Sequence, residues 1–190
     1  MGGADNSRVD DPETFVEGGF PVEPYSEVIP GLFQASSWLS PEELFDTGFD
    51  AVFDLCGRDR SDGKIDDRYV SHLIDDVPYL EDPQAIHDLG ERVAELVSSG
   101  KTVAVNCLSG LNRSGMLVAR ALIALGHSPT EAVELVRAAR GPRALSNKQF
   151  MRFLIVDCTP RRLSSLRSGE PSEAEEASGP ERLALRTVAR

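Results

Sequence analysis

Residues 103–115 read V-A-V-N-C-L-S-G-L-N-R-S-G, and the rest of the predicted fold can be built around them. Three small apolar residues lead into Asn106 and Cys107, and Arg113 follows six residues after the cysteine. The next stretch, 116–125, has the apolar composition of a buried helix. The pattern predicts a buried strand, a tight loop and a helix, with the cysteine where the strand ends and the arginine where the helix begins.

The loop after Cys107 has the composition of an anion-binding site. Backbone N–H groups in a short loop that enters a helix carry partial positive charge. A glycine lets such a backbone approach the anion closely, and the forked arginine guanidinium binds two phosphate oxygens at once. Because a thiol in such a field ionises readily, Cys107 is predicted to be a thiolate that attacks a bound phosphoryl group. The predicted phosphate-binding residues are Leu108, Ser109, Gly110, Leu111, Asn112 and Arg113.

The stretch N-C-L-S-G-L-N-R-S-G, residues 106–115, resembles the signature loop of the cysteine-dependent protein tyrosine phosphatases. It is most similar to the dual-specificity branch, whose loop reads H-C-x-x-G-x-x-R-[ST]-G, and E-V-I-P-G-L-F at 27–33 resembles the start of those domains. The resemblance covers 25–156. It implies a hydrolase that dephosphorylates phosphotyrosine, phosphoserine or phosphothreonine through a phosphocysteine on Cys107. Asn106 departs from the pattern: the family has a histidine there that keeps the thiol acidic, whereas an Asn amide can brace backbone but carries no charge.

The resemblance also implies a general acid and a supporting hydroxyl. Cysteine phosphatases protonate the leaving oxygen with an aspartate that lies about thirty residues before the cysteine. Asp75 lies 32 residues before Cys107, with an apolar residue two positions earlier and a proline three positions later, and is favoured; the adjacent Asp76 is the alternative. Ser114 is expected to hydrogen-bond the sulfur as it leaves the phosphocysteine, to cap the following helix, or to do both.

Cys56 stands at the end of another apolar run. Some cysteine phosphatases carry a cysteine at this place that forms a disulfide with the nucleophile, and a reactive thiolate near a second thiol favours such an exchange. The resemblance therefore suggests a reversible Cys56–Cys107 bond, and the alternative is a small core residue. Cys158 has no assigned role.

Capping motifs and apolar runs give the remaining elements. The helix-start signals lie at residues 40–43, 82–83, 128–131 and 146–149. The predicted strands are 28–29, 32–35, 50–56, 69–74 and 101–106. Strands that alternate with helices and are followed by a run of helices predict an α/β fold. We expect a central, mostly parallel sheet of four to five strands, flanked by helices on both faces.

Composition restricts the class of partner. The 190 residues carry a net charge of −11, which argues against general binding of nucleic acid or anionic membranes. The sequence has no run of 18 apolar residues, so no membrane span is expected. Its first residues lack the apolar core of a signal peptide. Three widely spaced cysteines do not form a disulfide framework, so a reducing, cytoplasmic setting is expected. His72, His87 and His127 show no ligand spacing, and neither a metal nor another cofactor is predicted.

Segments 1–23 and 159–190 are rich in charged residues and in Gly, Pro or Ser. They predict a flexible N-terminal segment and a disordered C-terminal tail on either side of a catalytic domain at 24–158. The expected partner is a phosphorylated protein or a small phosphate ester. Three alternatives stay open. G-L-N-R-S-G resembles G-F-N-R-T-G of the capping-enzyme branch, an RNA 5′-phosphatase; a phosphoinositide or other small-molecule phosphatase would share the chemistry; and Asn106 is compatible with a phosphate-binding pseudophosphatase of weak activity.

Two expectations concern other charged side chains. Arg58, Arg140 and Arg143 are expected to form salt bridges on the acidic surface, and the alternative is a place beside the pocket, where they would attract anionic substrate. His87 is expected on a solvent-facing part of its helix.

Overall fold

The computed structural model describes residues 15–16, 20–21, 23–57 and 68–158. The predicted C-terminal tail and residues 58–67, among them Arg58, lie outside these residues. So does most of the predicted flexible segment 1–23, apart from residue 23 and two short strands, β1 (Phe15–Val16) and β2 (Phe20–Pro21), which pair antiparallel. The domain limits at 24 and 158 stay a prediction.

Among the described residues, five strands form the central sheet. They are β3 (Tyr25–Ile29), β4 (Leu32–Ser36), β5 (Ala51–Asp54), β6 (Tyr69–Ser71) and β7 (Val103–Cys107). Their spatial order is β3-β4-β7-β5-β6, and every pair is parallel except β3 with β4. The predicted α/β fold with a mostly parallel sheet is confirmed. The central strand is β7, which is buried along its whole length and ends at the predicted nucleophile.

Strand β5 is shorter than the apolar run 50–56 predicts, because the chain turns at Asp54. One oxygen of this buried carboxylate accepts the N–H of Cys56 at 2.8 Å, and the other accepts the Tyr69 hydroxyl at 2.8 Å. After the turn, the N–H of Leu55 donates to the carbonyl of Asn106 at 2.9 Å. The turn therefore brings Leu55 beside the end of β7. Strand β6 also ends earlier than predicted, at Ser71.

The described helices begin close to the predicted motifs. They are α1 (Pro41–Asp46), α2 (Pro83–Ser98), α3 (Arg113–Ala124), α4 (Pro129–Arg140) and α5 (Lys148–Arg152), which continues as a π-helical turn (Phe153–Asp157). The capping boxes at Ser40 and Ser128 are confirmed, since each hydroxyl accepts a backbone N–H and a glutamate returns the bond. The motif at 146–149 was placed wrongly by one residue: Asn147 caps α5, because its Oδ1 accepts the N–H groups of Gln149 and Phe150.

Helices cover both faces of the sheet, as predicted. Leu44 of α1 packs with Val52 on one face. Because neighbouring residues of a strand point to opposite faces, Phe53 lies on the other face, in the main core beneath helices α2 to α5. Cys107 belongs to this core and lies where β7 ends, which is the edge of a parallel sheet where ligands usually bind. No helix in the described part of the chain is both long and apolar enough to cross a bilayer.

Candidate active site

The signature loop leaves β7 at Cys107 and enters α3 at Arg113. Cys107 is buried, with its Sγ 3.3 Å from the Ser114 hydroxyl oxygen. Gly110 has φ +66°, and a Cβ there would lie 2.8 Å from the backbone of Ala35. Only glycine fits this close turn without strain. The predicted strand, loop and helix are therefore present, and the cysteine and arginine stand where the sequence places them.

Ser114 faces the sulfur and is not the helix cap, a position that Asn112 occupies. The Ser114 hydroxyl accepts a hydrogen bond from Gln34 Nε2 at 3.3 Å, so its own proton can point at Cys107. The same Gln34 amide donates to the carbonyls of Gly110 at 3.0 Å and Leu111 at 3.3 Å. Gln34 was not predicted as a site residue. Its signal was a polar residue inside the otherwise apolar run 32–35, where it is completely buried.

The Arg113 guanidinium is held by one edge. Its Nη1 donates to the carbonyl of Ile74 at 3.1 Å and, more weakly, to that of Leu55 at 3.5 Å. Its Nε is buried and has no hydrogen-bond partner among the described residues. A buried donor without a partner is costly, and an anionic oxygen in the loop would satisfy it. This arrangement suits the predicted grip on a phosphoryl group.

Of the two candidate acids, the structure brings Asp76 to the loop. Its carboxylate accepts the side-chain amides of Asn112 at 3.0 Å and Asn147 at 2.8 Å. The Asn147 N–H donates to the Asn112 side-chain oxygen at 3.2 Å, which closes a network of three residues. Asp75 is exposed and makes no hydrogen bond to another described residue. Asn112 was predicted as a phosphate-binding residue, and the role of Asn147 was not predicted.

No protein-family model and no curated protein sequence matches this chain, but solved structures do. Human DUSP28 has a TM-score of 0.59 and 22% identity, over 70% of this chain and 90% of that chain. Tk-PTP in its active form has a TM-score of 0.56 and 24% identity, over 70% and 95%. The chain has the fold of the dual-specificity phosphatases. Human tyrosine phosphatase-like serine/threonine/tyrosine-interacting protein is also similar, with a TM-score of 0.56 and 20% identity over 68% and 92%. At these identities the likeness establishes the phosphatase fold alone.

Within this phosphatase fold, the prediction of a surface salt bridge at Arg140 is wrong. The side chain is completely buried behind the signature loop. Its Nε donates to the Gly110 carbonyl, and its Nη1 donates to the Glu23 carbonyl and the Ser26 hydroxyl, each at 3.1 Å. The acidic surface was expected to hold this arginine in solvent, but two backbone carbonyls and one hydroxyl accept its hydrogen bonds in the interior. Arg143 is exposed.

Cys56 and Asn106 are the two remaining predicted positions near the nucleophile. Cys56 is half-buried and packs against the same core as Cys107, and neither cysteine forms a disulfide with a described residue. A reversible bond between them stays a prediction. Asn106 is buried, and its side-chain oxygen has no partner among the described residues. In the described part of the chain, no cluster of His, Cys, Asp and Glu side chains could hold a metal ion.

His87 faces a neighbouring helix, so its predicted solvent-facing position is wrong. Its Nδ1 accepts a hydrogen bond from Arg120 Nε at 2.8 Å, and its ring centroid lies 5.0 Å from that of Phe153. Arg120 also pairs with the carboxylate of Glu91. Burial, followed by the charge of Arg120, lowers the pKa of His87 below the ordinary histidine value. Protonation of His87 would therefore oppose this packing.

This lowered pKa predicts how acid affects stability. Below the ordinary value of about 6.5, the unfolded chain binds the proton more readily than the folded one. The contribution of neutral His87 to the free energy of unfolding is therefore fully present above about pH 6.5. It is lost as the pH falls toward the lower pKa of the folded state. Thermal melting from about pH 7 to 5 should therefore show a smaller fall in Tm for His87→Gln than for the natural chain. His127→Gln is the matched control and should keep the full fall. Equal pH dependence in all three proteins would contradict the prediction.

Proposed function

We propose that this protein is a cysteine-dependent phosphatase that hydrolyses phosphate monoesters on proteins through a phosphocysteine at Cys107. The observation that supports this most is the convergence of three groups on one loop. The Cys107 sulfur lies 3.3 Å from the Ser114 hydroxyl, and the Arg113 Nε is buried without a partner among the described residues. Nucleophile, leaving-group donor and anion binder thus occur together on a fold shared with known phosphatases.

In the first step, loop N–H groups and Arg113 hold the non-bridging oxygens of the phosphate ester. The Cys107 thiolate attacks phosphorus, so that an S–P bond forms while the P–O bond to the leaving group breaks. Charge that develops on the equatorial oxygens is stabilised by donors that are already in place. A general acid delivers a proton to the departing oxygen, which would otherwise leave poorly from an alkyl or phenyl ester.

We assign the general acid to Asp76, although the sequence spacing favoured Asp75. A proton donor must lie near the leaving group, which projects from the signature loop. Asp76 accepts a hydrogen bond from Asn112, the residue before Arg113, whereas Asp75 makes no hydrogen bond to a described residue of the loop. Asn112 and Asn147 would hold the Asp76 carboxyl at the mouth of the site until substrate arrives.

In the second step, water attacks the phosphocysteine. The S–P bond breaks, inorganic phosphate forms, and the attacking water gives its proton to the carboxylate that served as the acid in the first step. The sulfur leaves as a thiolate, to which the Ser114 hydroxyl donates. Gln34 donates to that hydroxyl and so occupies one of its acceptor sites, which leaves the hydroxyl proton available to the sulfur.

Ser114→Ala should therefore slow the second step more than the first. We expect a fall in kcat of about tenfold to a hundredfold, from loss of a hydrogen bond to a charged sulfur, with a burst of 4-nitrophenol equal to the enzyme concentration. Stopped-flow absorbance measures both. Ser109→Ala is the matched control. It lies on an exposed part of the same loop and keeps the backbone N–H through which this residue is predicted to bind phosphate, so it should show neither effect. A Ser114→Ala enzyme that turns over slowly without a burst would contradict this role.

The rim of the site favours a protein substrate over RNA or an inositol phosphate. Leu108 and Trp38 are both largely exposed, and Ser37 joins their segments by donating to the Leu108 carbonyl through its N–H at 3.2 Å and its hydroxyl at 3.1 Å. Apolar side chains beside the loop suit the side chains that flank a phosphorylated residue. The net charge of −11 would also repel a polyanion such as RNA. We also propose a cytoplasmic location, because three widely spaced cysteines do not make a disulfide framework.

A second candidate function is a phosphate-binding module without turnover. It is favoured by Asn106, which is neutral and buried where the resembling loops carry a histidine. The two candidates differ in one assay. The purified protein should hydrolyse 4-nitrophenyl phosphate in a vanadate-sensitive reaction, and should prefer phosphopeptides to 5′-phosphorylated RNA and phosphoinositides in kcat/KM. Tight phosphopeptide binding without release of phosphate would support the binding module and contradict the phosphatase proposal.

A further inference from the structure

We propose that Arg140 is a positioning residue of this site, a buried cation behind the signature loop that fixes the loop and favours the Cys107 thiolate. The inference deepens the proposed function and depends on it for its chemistry. Arg140 ends helix α4, 30 positions from the loop residue that it contacts, and it makes no ion pair with a described residue. A cation in this position needs an explanation, since burying one is costly unless the structure uses its charge.

The first role of Arg140 is to orient the loop backbone. Its Nε donates to the Gly110 carbonyl at 3.1 Å, and Gln34 donates to the same carbonyl at 3.0 Å. In a planar trans peptide the C=O and the following N–H point in opposite directions. With the Gly110 carbonyl held by two donors, the N–H of Leu111 therefore points away from them, which leaves it available to an anion in the loop.

The contact between Arg140 and the loop is close. A Cβ at Gly110 would lie 2.5 Å from Arg140 Nη2, so the guanidinium lies directly against the turn of the loop. That Nη2 is buried and has no hydrogen-bond partner among the described residues. The guanidinium is thus completely buried, bonded to loop backbone through one nitrogen and unsatisfied at another.

The second role of Arg140 is electrostatic. Burial lowers the pKa of Arg140 to about 10, while the acidic groups of Cys107 and Glu23 act in the opposite direction. The side chain therefore stays charged at neutral pH. The interaction is mutual: if ionised Cys107 favours the cation, the cation favours ionised Cys107. Asn106 supplies no charge to the nucleophile, and Arg140 supplies one from behind the loop.

A merely structural role would have a different signature. Arg140 Nη1 also donates to the Glu23 carbonyl and the Ser26 hydroxyl, each at 3.1 Å. These bonds tie helix α4 to the start of β3, and they would be kept whatever the state of the sulfur. The decisive readout is therefore the pH dependence of Cys107 reactivity, which a structural tie would not move.

The experiment compares alkylation of Cys107 by iodoacetamide across pH in the full chain and in Arg140→Gln, Arg140→Lys and Ser26→Ala. This reagent is neutral, so its rate reports the thiolate and not anion binding, and peptide mapping separates Cys107 from the other cysteines. In Arg140→Gln we expect the profile to move to higher pH, with a rate at about pH 6 that is about tenfold lower. Arg140→Lys keeps the charge and should stay close to the natural chain. Ser26→Ala removes a tie but no charge and should also react like the natural chain.

An unmoved profile in folded Arg140→Gln would overturn the proposal. If that variant does not fold, inhibition of Arg140→Lys by vanadate tests the positioning role instead. Lysine cannot reproduce the Nε bond to Gly110 together with the other contacts, so inhibition should weaken severalfold, and unchanged inhibition would overturn the positioning role. The outcome is separable from that of the proposed function. If the alkylation profile moves but the protein has no turnover, the phosphatase proposal is wrong and the role of Arg140 stands. If turnover is full but the profile does not move, the phosphatase proposal stands and the role of Arg140 is wrong.

Discussion

Cys107→Ser abolishes turnover of 4-nitrophenyl phosphate, with an expected fall in kcat of about 10⁴-fold or more. A serine hydroxyl is not ionised near neutral pH and cannot form the phosphocysteine, while the loop N–H groups and Arg113 remain to bind phosphate. Binding of a phosphopeptide, measured by calorimetry, should therefore survive the loss of chemistry. A steady-state assay measures the fall.

The matched control for this loss is Cys158→Ser. Cys158 is half-buried, and burial raises the pKa of its thiol to about 11, so it is neutral under assay conditions. Its replacement should leave turnover close to that of the natural chain. Turnover that survives in Cys107→Ser, or that is lost equally in Cys158→Ser, would mean that the nucleophile lies elsewhere.

Asp76→Asn should reduce kcat in a manner that depends on the leaving group. Loss of a general acid costs about 10²-fold to 10⁴-fold when the leaving oxygen needs a proton. The fall should be near that size for phenyl phosphate and much smaller for 4-nitrophenyl phosphate, whose leaving group departs without help. The ratio of the two kcat values is the measurement, and it cancels general damage to the loop.

Asp75→Asn is the matched control for this prediction, one position away and free of hydrogen bonds to other described residues. It should lower neither rate by more than about twofold, as expected of an exposed residue outside the site. Equal falls on both substrates in Asp76→Asn would reduce Asp76 to a brace of the Asn112–Asn147 network. A leaving-group effect in Asp75→Asn would restore the assignment that the sequence favoured.

The parts of the site that the sequence predicted are those fixed by local geometry. A strand, a glycine turn and a helix that follow one another in 13 residues place Cys107, Gly110 and Arg113 by chain connectivity alone. Capping boxes work for the same reason, because their partners are three residues apart, as at Ser40 and Ser128. Such contacts need no knowledge of which elements pack together.

The site residues that were not predicted lie far from the loop along the sequence. Gln34 reaches the loop across 76 positions and Arg140 across 30, so both depend on how β4 and α4 pack against it. A buried arginine looks like a surface residue in the sequence, because nothing local reveals the carbonyls that will satisfy it. Asp75 and Asp76 lie in a segment without helix or strand, where no periodicity fixes which side chain faces the loop.

The error at His87 has a similar cause. Helix α2 can accept the Arg120 side chain beside His87 only because Gly90 leaves room: a Cβ there would lie 2.5 Å from Arg120 Cγ. Helical periodicity predicts which residues of a helix share a face, but a cationic side chain from a neighbouring helix was not part of that pattern. The glycine inside the helix was the one visible sign of a close neighbour.

The most direct test of the phosphocysteine mechanism is to look for the intermediate itself. The full chain is mixed rapidly with excess 4-nitrophenyl phosphate, quenched in denaturant and mapped by peptide mass spectrometry, with Cys107→Ser treated in parallel. We predict a phosphoryl group on the peptide that contains Cys107, at higher occupancy in Ser114→Ala and absent from Cys107→Ser. A turnover-competent protein that carries no phosphoryl group on Cys107 in either the natural chain or Ser114→Ala, or carries it on another residue, would contradict the mechanism.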